Sequence, residues 1–125
     1  MSYSYPTYNG RYSDPTTASV GVGATGATTL VAAPAAGNQI AVDWLRVDLR
    51  TDTTAFIESF FTWSDAAAPY FRTRATQTGT TTPLFIQFQD PWILPSATSL
   101  GFNFSVTAAS TGAATVTVGY RLLTR

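Results

Sequence analysis

The chain has no cysteine and no histidine anywhere in its 125 residues. Without cysteine there is no disulfide to staple the fold and no thiolate nucleophile. Without histidine the commonest general base and the commonest zinc or copper ligand are both missing. Lysine is absent as well, so all seven basic residues are Arg. Arg is favoured where a cation pairs in a buried or interfacial setting, because its planar fork makes several directed hydrogen bonds. Charge is scarce overall, at 11% of residues, and it balances to a formal net of +0. A protein that grips phosphates needs a clustered basic excess, so nucleic acid is not expected as a partner. No apolar run approaches the roughly 20 residues that cross a bilayer as a helix. The opening MSYSYP lacks the basic and hydrophobic parts of a secretory signal. No membrane is expected, and synthesis in the cytoplasm is, with retention there or assembly there into something larger.

What remains is a lean, apolar, hydroxyl-rich chain. Its 45% hydrophobic content, 14% aromatic, suffices for one ordinary core without metals or cross-links. Residues 1–27 differ from the rest. Tyr3, Tyr5, Tyr8 and Tyr12 crowd the first dozen positions with Arg11 among them, whereas only Tyr70 and Tyr120 follow. Turn signals stand at Tyr5-Pro6, Asn9-Gly10 and Asp14-Pro15, and no period of 2 or 3.6 is sustained. The segment reads as an extended arm, with the glycine-rich stretch 21–26 as its hinge. Disordered tails are normally poor in aromatics. Tyr is favoured at interfaces, where the ring packs and the hydroxyl finds a polar partner. The arm is therefore expected to dock on another protein through these tyrosines.

From residue 28 onward the pattern is that of strands, and 28–125 is expected to be one domain. Candidate strands lie at 29–34, 39–50, 53–63, 70–76, 83–89, 99–107 and 114–123. Leu84, Ile86 and Phe88 alternate along their stretch, as do Leu100, Phe102, Phe104 and Val106, and then Val116, Val118, Tyr120 and Leu122. In 39–50 the alternation changes phase at Trp44-Leu45, which requires a bulge or a strand that passes between sheets. The stretch 53–63 is apolar on both faces, so Phe61 and Trp63 are expected either beneath a second layer or at a subunit interface. The segment QFQDPWILPS at 87–96, bracketed by Pro91 and Pro95, is expected to be a loop or an irregular edge. Its Trp92 either plugs one end of the domain or contacts a neighbour. No amphipathic helix is evident. The expected fold is all-β: a single antiparallel β-sandwich, jelly-roll-like, with an extended N-terminal arm.

A search for chemistry yields little. Glu58 and Asp90 are the sole plausible pair for glycosidase work, but an ion pair for Glu58 and a turn at Asp90-Pro91 explain them more simply. Asp48 and Asp52 could offer oxygens to calcium, yet no loop carries the close carboxylate spacing of a dedicated site. Trp63, Trp92 and Tyr70 could stack sugar rings in a carbohydrate-binding module. No enzyme activity and no cofactor are expected.

The stretch LVAAPAAGNQIAVDWLRV at 30–47 resembles the opening of small phage capsid decoration (cement) proteins and related virion jelly rolls. The closing GAATVTVGYRLLT at 112–124 resembles their last strand. The resemblance implies a structural virion protein, made in the host cytoplasm, that binds the major capsid protein at the surface of the assembled shell and stabilises it. It further implies a homo-oligomer, a trimer above other numbers. Tyr3, Tyr5, Tyr8, Arg11, Tyr12, Phe61, Trp63 and Trp92 are the residues expected to contact partners.

Overall fold

The computed structural model describes residues 10–22, 26–50, 56–65, 69–78, 84–106 and 113–124. They form nine strands: β1 (Arg11–Tyr12), β2 (Thr16–Val22), β3 (Gly26–Val31), β4 (Asn38–Arg50), β5 (Phe56–Asp65), β6 (Pro69–Thr78), β7 (Leu84–Ile93), β8 (Leu100–Val106) and β9 (Ala113–Thr124). All pairings are antiparallel.

The pairings nest. β5 pairs β6, β4 pairs β7, β3 pairs β8 and β2 pairs β9. This is one long hairpin, with its tip between β5 and β6. Rolling the hairpin brings β9 beside β4 and β8 beside β5. One sheet then runs β2-β9-β4-β7 and the other β3-β8-β5-β6, with the short β1 continuing the β2 edge. That order is a jelly roll, as the alternation of the sequence predicts.

Each inner face is supplied by the period of 2. On β9, Ala114, Val116 and Val118 are buried, and Tyr120 and Leu122 pack against them. On β8, Leu100, Phe102 and Phe104 face inward. Burying each large side chain contributes about 1.5–3 kcal/mol before entropy is counted. β4 carries the phase change as a bulge. Val42 pairs Tyr120 but Trp44 pairs Gly119, so Asp43 is the extra residue. Ile40 and Val42 before it and Leu45 and Val47 after it all point into the core. The break thus falls one residue before the Trp44-Leu45 step, and Trp44 turns outward with the new phase.

A tight turn leads into β4. Asn38 N–H donates to the Ala35 carbonyl at 3.0 Å, and Gly37 between them has φ +87, a conformation glycine adopts without strain. β7 runs through Pro91 to Ile93 as an edge strand, where a missing N–H costs no ladder bond. It is irregular there: Val42 pairs Trp92 and Trp44 pairs Gln87. The expected irregular edge at 87–96 is a strand at its start and a turn at its end.

The N-terminal segment departs from a free-standing arm. β1 and β2 lie along β9, with Thr16–Val22 facing Tyr120 through Ala114 residue by residue, and Ala18 and Val20 pack on the core. Gly21 and Val22 belong to β2 and Gly26 opens β3, so these parts of the expected hinge are strand. Residues 1–9, with Tyr3, Tyr5 and Tyr8, lie outside the described residues.

Candidate functional site

Three features stand out on the surface. The first lies where β1 joins the sheet. Ser13 N–H donates to the Leu122 carbonyl at 2.8 Å, and Leu122 N–H donates to Ser13 Oγ at 2.8 Å. Beside this, the bulge aims Asp43 at Arg121. The guanidinium donates through Nε to Oδ2 at 3.0 Å and through Nη2 to Oδ1 at 2.8 Å. This fork-to-fork geometry is the strong form of a charge-assisted bond. The Tyr12 ring lies on the same guanidinium, 4.4 Å from centroid to Cζ, a cation–π contact. The bond to Asp43 holds the Arg121 guanidinium above its ordinary value; desolvation opposes this, while the charges of Asp43 and Tyr12 add to it. Tyr12 is half-buried in this cluster and fixes the start of the described chain. Arg11, opposite Thr124, is exposed.

The second feature is the outer face of the β2-β9-β4-β7 sheet. The register places Ser19, Thr117, Arg46 and Phe85 in one row across the four strands, with Gly119, Trp44 and Gln87 in the next. Trp44 and Phe85 stack, with centroids 5.8 Å apart and planes 29° from parallel. A side-chain carbon at Gly119 would lie 2.1 Å from Trp44 Nε1 and 2.2 Å from Cε2, so the indole is inlaid over the glycine. Phe85 is 53% exposed, the large hydrophobic side chain left open among the described residues. Arg46 and Asp48 pair beside it, Nε to Oδ2 at 3.0 Å, and the Ser19 and Thr117 hydroxyls bond at 3.1 Å.

The third feature is a shallow trough of about 330 Å³ on the opposite sheet. Gly101 is among its lining residues, and Thr29, Ser64, Ser99 and Asn103 line it with neutral polar groups.

The residues expected to meet partners do not converge. Trp63 is fully buried and packs on Phe102 at 5.2 Å. It belongs to the core, which is the covered alternative expected for that ring, and it offers no surface to a sugar or a partner. Trp92 is half-buried, packs on the core and lies 6.0 Å from Phe88. Phe61 stands in β5 opposite Thr73 and Phe104, and its side chain lies outside the described residues, as do those of Glu58 and Tyr70. Asp90 is exposed on β7. Asp48 is committed to Arg46, and Asp52 lies outside the described residues. Among the described residues no three acidic side chains gather.

Phe85 and Gly119 were not singled out by the sequence, and Trp44 only as the place where the phase changes, although each left a trace. Leu84-Phe85-Ile86 is apolar in both phases, and a glycine in the V-x-V-G-Y strand signals a close approach.

Among solved structures, the chain is similar to one from the "Cyanophage Pam1 capsid asymmetric unit", at 17% sequence identity and a TM-score of 0.53. The match covers 97% of this chain and 93% of that chain. At this identity the likeness is one of fold. No protein-family model and no curated protein matches the sequence.

Proposed function

We propose that the protein is a structural virion protein that binds the outer surface of an assembled phage capsid and stabilises it. The observation that carries this reading is the shared jelly roll: it spans nearly the whole of both chains, and the similar chain belongs to a phage capsid asymmetric unit. The two chains are therefore of about the same length. The neutral composition and the want of histidine and cysteine agree with a role in binding and not in chemistry. In this role residues 1–9 contact the major capsid protein through Tyr3, Tyr5 and Tyr8. They start from Gly10, beside a strand held in place at Tyr12 and Ser13. Many identical weak contacts on a shell gain strength because each later one is effectively intramolecular. Binding the assembled shell and not the separate subunits then stabilises assembly by linkage.

The test is cosedimentation with assembled heads that lack the protein. The full chain should bind them saturably and raise their disruption temperature, and a chain starting at Gly10 should do neither. Equal occupancy by the shortened chain would remove the arm from the mechanism, and no binding by the full chain would remove the capsid role.

A carbohydrate-binding role is the second reading, and the hydroxyl-lined trough that includes Gly101 is what favours it. Neutral hydroxyl and amide groups suit a polyhydroxylated ligand. Glycan-array binding lost on Gly101→Val would support it, and an array without hits would dismiss it.

A further inference from the structure

The outer face of the β2-β9-β4-β7 sheet carries features that a solvated sheet face does not need. We propose that this face joins a second copy of the chain about a two-fold axis running across the strands, with Arg46 of each copy set against Asp48 of the other and the two Phe85 rings beside the axis. The proposal does not depend on the virion role.

The occupant is argued from charge and area. A two-fold contact uses the same patch on both copies, so the patch must be complementary to itself. Here one positive and one negative side chain, Arg46 and Asp48, stand two residues apart on the same strand and face. Their side chains are 48% and 28% exposed. Turning the face by 180° reverses the order of the two charges and lays Arg46 against the Asp48 of the other copy. Arg46 can take that second carboxylate. Among the described residues its bonds to Asp48 run through Nε, which leaves both Nη atoms of the fork to donate outward. The hydroxyls of Ser19 and Thr117 can each donate or accept, so that end of the row is self-complementary too.

Four strands at about 4.8 Å spacing, each about ten residues at 3.3 Å, give a face of roughly 600 Å². Specific interfaces use about 800 Å² per partner, and those near the lower limit are weak. A concentration-dependent dimer is the expected form. Such a contact closes at two copies, whereas the trimer implied by the sequence resemblance needs a heterologous one.

Sedimentation velocity over a concentration series tests this on the full chain. Wild type should pass from monomer to dimer, and Phe85→Ser should weaken the association about tenfold or more, as loss of a central aromatic anchor does. Thr117→Arg, on the same row, serves as a second disrupting variant should Phe85→Ser fail to fold. The decisive experiment uses charge. Arg46→Glu leaves two negative side chains on each copy and Asp48→Arg leaves two positive ones, so each variant alone should stay monomeric. An equimolar mixture of the two should dimerise, and the double variant R46D/D48R should recover self-association. A monomeric wild type, a trimer indifferent to these changes, or a mixture that does not associate would each overturn the proposal.

Discussion

The indole of Trp44 lies across Gly119 on the neighbouring strand, in the space where any larger residue would place its first carbon. The contact joins β4 and β9 across their outer face, immediately after the bulge at Asp43. Gly119→Ala therefore forces the ring off the sheet and away from Phe85. The expected cost is about 1–3 kcal/mol, the range for an overpacked site. Because the clash is with one ring, the penalty should largely vanish when Trp44 is also replaced by Ala. A double-mutant cycle in urea measures that coupling. Equal costs of Gly119→Ala in both backgrounds would show that the ring is not the obstacle.

The Asp43–Arg121 bond ties the bulge of β4 to the end of β9. Arg121→Met removes it and leaves the Asp43 carboxylate without its guanidinium partner. Both charged side chains are 27% exposed, so solvent tempers the loss, and about 1–2 kcal/mol is expected. The guanidinium is held above its ordinary value by Asp43. A group raised in this way contributes stability that is complete below its unfolded value and lost only as pH climbs through the folded one. That window lies in strong alkali, so the loss on Arg121→Met should be the same at neutral and mildly alkaline pH. Chemical denaturation of both proteins at the two pH values checks it, and a cost that shrinks between them would contradict the assignment.

The strands that face one way were legible because their alternation is clean. β8 and β9 alternate large apolar with small or polar side chains, and the structure buries the apolar set. The bulge in β4 was legible to within a residue, because an extra residue must shift the phase of everything after it. The run holding Phe61 and Trp63 was not decidable, since an apolar residue in either phase looks the same whichever side is covered. β2 was read as part of an arm because Thr, Ala, Ser and Gly hide a period that only Val20 and Val22 mark strongly. It is a strand because its backbone pairs β9 from Ala114 to Tyr120 and its Ala18 and Val20 pack on the core. Asp43 and Arg121 are 78 positions apart. Local periodicity contains no information on which strands meet, so that bond and the Trp44–Gly119 contact had no direct signature.

Trp63 supplies a prediction that separates core from surface. Its side chain is completely buried beside Phe102, so Trp63→Ala should cost about 3–5 kcal/mol. That is a large part of the 5–15 kcal/mol typical of a whole domain. In a chain where Trp44 and Trp92 are replaced by Phe, the fluorescence of Trp63 should be blue-shifted and resist acrylamide. Ready quenching in the native protein would mean that this ring reaches the surface after all.

The place where the arm ends can be found by truncation. A chain beginning at Gly10 retains β1, the Tyr12–Arg121 contact and the paired bonds between Ser13 and Leu122. It should remain soluble with a melting temperature within a few degrees of the full chain. A chain beginning at residue 23 loses β2, which covers β9 from Ala114 to Tyr120 and contributes Ala18 and Val20 to the packing around the core. The uncovered edge then offers a row of unpaired N–H and C=O groups for pairing with other chains. Aggregation or a broad, early melt is expected, visible by size-exclusion chromatography and circular dichroism. If the chain from residue 23 were as soluble and stable as the full one, the β2–β9 pairing would add nothing to the fold, and the whole segment before β3 would have to be regarded as arm.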